Sequence, residues 1–201
     1  LKGGSQDLLA HQRSLRELIS WSYELLNEDE RTLWRRLAVF PAGCSVDAAQ
    51  LVCGYDDSFI VEVDVESLVD KSLVMMTFAD EGGEPARLTI LESLREFARD
   101  RLQESDEFPE LQQRFVNWTV DLAARNIDSS SPVRGQLVIR DHLNVHAAFD
   151  YCLSHSGHES ESLTIAAAFW YVLYSQGRLS EARTVLESAL ELAPAAATRS
   201  R

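Results

Sequence analysis

The chain has 201 residues, 45% of them hydrophobic, enough to bury one large core or two small ones without crosslinks. Its 19 basic and 32 acidic residues leave a formal net charge of -13, which repels a phosphate backbone unless the basic groups are gathered in one patch, so direct nucleic-acid binding is disfavoured. Three cysteines (Cys44, Cys53, Cys152) with no C-x-x-C pair argue against a disulfide framework or zinc knuckle, and the absence of a signal peptide or a long apolar run leaves a soluble protein of a reducing cytoplasm as the expectation.

The opening LKGGSQDLLAHQRS lacks an initiating methionine, and residues 1–13 read as a loop cut out of something longer. From Ser14, which suits an N-cap, Leu15, Leu18, Ile19, Ser22, Leu25 and Leu26 follow the stripe of an amphipathic helix. NEDERTLWRRLAVFPAG predicts a second helix: Asn27 opens it, three acids fill the first turn where the helix dipole favours them, and Pro41 and Gly43 stop it. Leu33, Leu37 and Phe40 form its inward face. Ser45 then caps the short helix VDAAQLVCG, closed by Gly54, and DVESLVDKS supplies a fourth. SLVMMTF and RLTIL have strand composition, and DEGGEP between them is turn chemistry, so residues 72–91 read as a β-hairpin. Helices followed by a hairpin make a winged-helix pattern, here over residues 14–104. Leu94, Phe97, Ala98 and Leu102 carry a further helix, and apolar stripes recur at 111–126, 136–154, 162–176 and 179–193. The Ser-rich stretch NIDSSSPVRG at 126–135 is the best internal break.

A winged helix that reads DNA needs basic side chains on its second helix and wing. Between Cys44 and Phe78 the only base is Lys71, against Asp47, Asp56, Asp57, Glu62, Asp64, Glu66 and Asp70, and the wing tip adds Asp80, Glu81 and Glu84. His142 and His146, four apart beside Asp141, and the pair His155 and His158 have metal-compatible spacings but lack an H-E-x-x-H glutamate or a cysteine cluster. They read as surface or packing histidines, and no metal is expected. Cys44 and Cys53 read as small buried hydrophobes. No P-loop and no catalytic triad or carboxylate pair is present, so no catalytic residue is assigned.

Near residues 163–196, AAAFWYVLYSQGRLSEARTVLESALELAP resembles one tetratricopeptide repeat, with a turn at Gly177, small residues Ala182 and Ala189, and Pro194 beyond the end. Trp170 departs from that pattern, standing where the repeat has a small residue. Trp170, Tyr171 and Tyr174 read first as core packing and, in the sharper reading, as a partner-binding groove. Trp21 is a further candidate contact on the first helix. The fold expected is mainly α: a winged-helix domain followed by an α-helical, TPR-like superhelical arm over 105–201.

QRSLRELISWSYELLNEDERTLWRRLAVFPAG, LVDKSLV, LTILESLREFARDRL and RDHLNVHAAFDYCL together resemble the winged-helix region and helical arm of bacterial STAND-type signalling ATPases, including large LuxR-type and AfsR-type transcriptional regulators. That resemblance implies a nucleotide-binding core before Leu1, with residues 1–13 as the linker leaving it, ATP or ADP held in the core and no cofactor in this fragment. It implies that the winged helix packs on that core. The family's Met-His-Asp motif falls on Ile90, Leu91 and Glu92, so Leu91, Glu92 and Arg95 become nucleotide-sensing candidates by position. Leu91 replaces the histidine and cannot donate a hydrogen bond to phosphate. The function expected is a non-catalytic regulatory and interaction fragment of such a regulator, coupling nucleotide state to a protein or small-molecule effector on the arm, with no membrane contact. The alternative is a stand-alone helical peptide-binding adaptor without an ATPase.

Overall fold

The structure, a computed structural model, describes residues 4–54, 58–77, 86–127 and 139–192. Their elements in chain order are α1 (Gly4–Glu24), α2 (Glu28–Leu37), β1 (Cys44–Ser45), α3 (Val46–Cys53), α4 (Ser58–Asp70), β2 (Met75–Thr77), β3 (Arg87–Thr89), α5 (Glu92–Gln103), α6 (Phe108–Ile127), α7 (His142–Ser154), α8 (Glu159–Ser175) and α9 (Leu179–Leu192). Two compact units result: residues 1–39 with 43–108, and residues 40–42 with 109–201.

In the first unit α1 begins at Gly4, so Ser14 lies inside the helix rather than capping it, and residues 4–13 are helix rather than loop. The expected cap at Asn27 forms in full. Its side chain accepts from the Glu30 backbone N–H, and its own N–H donates to the Glu30 carboxylate, both at 2.9 Å. The helix so opened ends at Leu37, before the Pro41 and Gly43 expected to stop it. Ser45 caps α3 by accepting from Ala48 N–H at 3.1 Å.

The hairpin is present as β2 and β3, paired Met75 to Thr89 and Thr77 to Arg87. A third strand joins it: β1 pairs antiparallel with β3, Cys44 opposite Leu88, giving the order β1-β3-β2. Gly43 makes that approach possible. At φ 70° it lies in the left-handed region, and a Cβ there would sit 2.2 Å from the Leu88 carbonyl oxygen. The tip between the strands, with Asp80, Glu81 and Glu84, lies outside the described residues. Helix, strand, two helices and two further strands constitute a winged helix-turn-helix, in which α3 and α4 are the paired helices.

Its core centres on fully buried Trp34, whose ring lies 5.7 Å from Tyr23 and 6.1 Å from Phe97. The same geometry closes α4 as closes α8. After α4, Leu73 N–H bonds Leu68 C=O and Ser72 N–H bonds Val69 C=O, a Schellman turn with Ser72 at φ 59°; after α8, Arg178 and Gly177 repeat the pattern with Gly177 at φ 75°. Because L side chains strain in that conformation, Ser72→Gly should stabilise the first unit by about 0.5–1 kcal/mol. Urea unfolding would show this as a raised midpoint; an unchanged or lowered midpoint would contradict it.

The second unit is helical, with α8 packed against both α7 and α9. Residues 40–42 complete it. The ring of Phe40 stands edge-on to Phe115 and Trp118, each 5.3 Å away, and Ala42 N–H donates to Asn144 Oδ1, itself bonded to Asp141. Phe40 is therefore buried as expected but belongs to this unit's core rather than to the inward face of α2. The Ser-rich break at 126–135 and Pro194 lie almost wholly outside the described residues. Among the described residues no helix is long and apolar enough to cross a membrane.

Candidate functional site

One carboxylate organises the helix-turn-helix. Glu30 reaches back through Oε2 to cap α2, while its Oε1 accepts from Ser67 Oγ at 2.6 Å and from Lys71 Nζ. Both partners lie on α4 or just past its end, so α2 and α4 are tied through a single buried group. Burial pushes the Glu30 carboxyl upward, but the hydrogen bonds from Lys71, Ser67 and the Asn27 backbone prevail and hold it below the ordinary carboxylate range. Asp64 moves the other way: its own burial first, then the nearby charges of Asp29 and Glu30, raise it.

A pH dependence follows. Glu30's stabilisation is present above the pKa of an unfolded glutamate, about 4.3, and is lost as pH falls through the lower folded value. Removing its cation with Lys71→Ala should cost about 1–2 kcal/mol near pH 7 and flatten the acid limb of the stability curve. Urea midpoints taken from pH 7 down to pH 3 would test this, and an acid limb as steep as the wild type's would refute it.

One face of α4 lies open to solvent. It carries Val63, 49% exposed, with Glu66 and Asp70 also exposed, and no base lies in the helix's last turn. Lys71, the one base between Cys44 and Phe78, is already engaged by Glu30 and Ser67.

At the strand-to-helix junction Leu91 is the N-cap of α5, 53% exposed and without a side-chain capping bond. Glu92 occupies the first turn and is clamped by Arg95, whose Nη2 lies 2.6 Å from Oε1. The structure thus brings Leu91, Glu92 and Arg95 together within one turn. The fit to a phosphate is poor, since Leu91 has no donor, Glu92 would repel the anion, and Arg95 is spent on Glu92. What remains is a surface of one apolar and one ion-paired group.

In the second unit Trp170, Tyr171 and Tyr174 cluster on α8, the Trp170 ring 6.0 Å from Tyr171 and 5.9 Å from Tyr174. Core packing does not account for the tyrosines, which are 61% and 56% exposed; only Trp170 is half-buried. Trp21 on α1 is likewise 62% exposed. His146 pairs with Asp150 at 2.9 Å and stands edge-on to Phe169, and His155 stacks on Tyr151 at 4.0 Å. Among the described residues no group of three His, Cys, Asp or Glu is placed to hold a metal ion. All three cysteines are buried, and burial first, with the charge of Glu161 second, pushes the Cys152 thiol up to about 12, where it is inert.

Sequence reasoning missed the double duty of Glu30 between α2 and α4. The N-E-D-E run marks a helix opening with acids in its first turn, but the reach of Glu30 to Lys71 joins separate elements.

Residues 26–103 match the winged helix-turn-helix domain family, and the chain carries such a domain there. Over 171 residues the chain is 35% identical to a Mycobacterium tuberculosis protein named a "putative HTH-type transcriptional regulator", a match covering 83% of this chain and 19% of that protein. A Mycobacterium bovis protein of the same description matches equally. A further M. tuberculosis protein, named only as uncharacterized, is 32% identical over 108 residues, 52% of this chain and 27% of its own length. The chain thus spans less than a fifth of the length of the first of these relatives. No solved structure matches it.

Proposed function

We propose that this chain is the regulatory and interaction segment of a larger transcriptional regulator, in which the winged helix-turn-helix contacts protein rather than DNA. The observation that carries the reading is the state of Lys71. A DNA-reading face gains its affinity by releasing counterions from phosphates, which needs available cations. Here the α4 face is acidic and its nearest cation is held by a buried carboxylate. The names of the relatives favour a second reading, direct DNA binding by this domain. Fluorescence anisotropy with duplex DNA over a salt series separates them: no binding at low salt is expected, and salt-sensitive binding by the chain would overturn the proposal.

The finer reading is that the parent is a STAND-type ATPase of the LuxR or AfsR kind, with ATP or ADP in a preceding core. The ordered motif run from QRSLRELIS to RDHLNVHAAF supports it. In this reading Leu91, Glu92 and Arg95 dock on that core without touching phosphate, and the α8 aromatics receive an effector, in the manner of a two-state switch. The test is made in the longer parent. Glu92→Lys and Arg95→Glu, each made singly, should alter nucleotide turnover and transcriptional output, and unchanged values for both would remove the junction from the mechanism. The adaptor alternative requires that no phosphate loop precede this segment in the parent's coding sequence.

A further inference from the structure

The solvent face of α4 breaks a local rule. Glu66 and Asp70 lie in the C-terminal half of the helix, where the backbone dipole is negative and disfavours acids. Neither is offset by a base in the last turn. The half-buried Asp64 beside them stands near Asp29 and Glu30, so the α2–α4 surface holds more negative charge than Lys71 balances. Val63, one turn before Glu66, adds an exposed apolar side chain on the same face, and Met75, at the start of β2, is exposed just past the turn. A negative helix end, acids whose neighbouring cation Lys71 is paired with Glu30, and an exposed apolar group one turn before them form a face complementary to a positive, partly apolar partner.

We infer that the α4 face is a docking surface for a basic amphipathic helix of a protein, whose lysine or arginine side chains meet Glu66 and Asp70 while an apolar residue covers Val63. Charge complementarity selects this occupant. A nucleic acid is repelled by the same groups, and an acidic or purely apolar helix would leave Glu66 and Asp70 facing like charge or losing water without a partner. The position is the one where helix-turn-helix domains present their second helix, with the sign of the surface reversed. The inference rests on the reading of the domain as a protein-contact module and names the chemistry of the contact.

The test uses the 201-residue chain and a helical peptide with one leucine face and one lysine face. Amide chemical-shift mapping should place the footprint on Val63, Glu66 and Asp70. The double variant Glu66→Gln with Asp70→Asn, both exposed positions, should weaken binding about tenfold at moderate salt. Glu159→Gln with Glu161→Gln on α8 removes the same formal charge elsewhere and should leave affinity within about twofold. A footprint scattered over the acidic surface, or equal losses from the two double variants, would show general charge attraction and refute the site. DNA binding in the anisotropy experiment would instead refute the protein-contact reading beneath it, so the two failures are distinguishable.

Discussion

Glu107→Ala is expected to lower the stability of the first unit by about 3–5 kcal/mol, because it strips the carboxylate from a buried guanidinium. Arg36 is the group at risk. Its side chain is only 5% exposed, and Nε and Nη2 reach Glu107 Oε2 at 2.8 and 2.5 Å while Nη1 donates to the Cys53 carbonyl at 2.9 Å. Arg35 bonds the second oxygen of the same carboxylate. One acid therefore serves two adjacent cations at the end of α2, and it comes from the short link between α5 and α6. Burial lowers the Arg36 pKa and Glu107 opposes that shift, so the carboxylate keeps the charge tolerable inside the unit. Glu107→Gln keeps an acceptor oxygen but not the charge, and should cost about half as much. Hydrogen exchange at the α2 amides reads this unit alone and avoids assuming that the whole chain unfolds in one step. Exchange in Glu107→Ala no faster than in wild type would show the pair to be dispensable.

What the sequence made legible was local. The helix opening at Asn27, the cap at Ser45 and the turn at Gly177 depend on residues within a few positions of one another, the hairpin on two neighbouring runs of strand composition, and all are in the structure. The misses have physical reasons. Strand β1 has two residues, too few to show alternation, and exists because Gly43 lets the chain close on Leu88. The start of α1 is missed because Ser14 suits an N-cap, whereas serine is tolerated inside a helix at a small cost. Phe40 fits the stripe of α2, yet the helix stops at Leu37 and the ring goes to Phe115 and Trp118. Periodicity shows that a side chain is buried without showing which unit buries it. For the candidate contact surfaces the lesson is similar. Tyr171 and Tyr174 share the spacing of core residues, and only their place on α8 reveals that α7 and α9 cover the other side. The ion pairs of Glu30 and Glu107 join residues of different elements, and composition cannot locate them.

Trp34→Ala should cost about 3–5 kcal/mol, the range for emptying a large aromatic from a packed core. Trp34 is fully buried, contacts Tyr23 and Phe97 through its ring, and donates its indole N–H to the Leu73 carbonyl at 3.3 Å. Leu73 is the residue through which α4 turns into the hairpin, its N–H already spent on Leu68. The indole therefore holds the exit of α4 and the entry of the wing against α2. Loss of the ring should loosen the docking face of α4 together with the core. Trp34→Phe separates the two contributions: it keeps most of the apolar contact, forfeits the hydrogen bond, and should cost about 1–2 kcal/mol. The Leu73 and Val74 amides, both bonded to the Leu68 carbonyl, report the turn directly by hydrogen exchange. If Trp34→Phe is as damaging as Trp34→Ala, the hydrogen bond to Leu73 dominates. If Trp34→Ala leaves those two amides protected, the turn is held by its own Schellman bonds and the indole serves only as core.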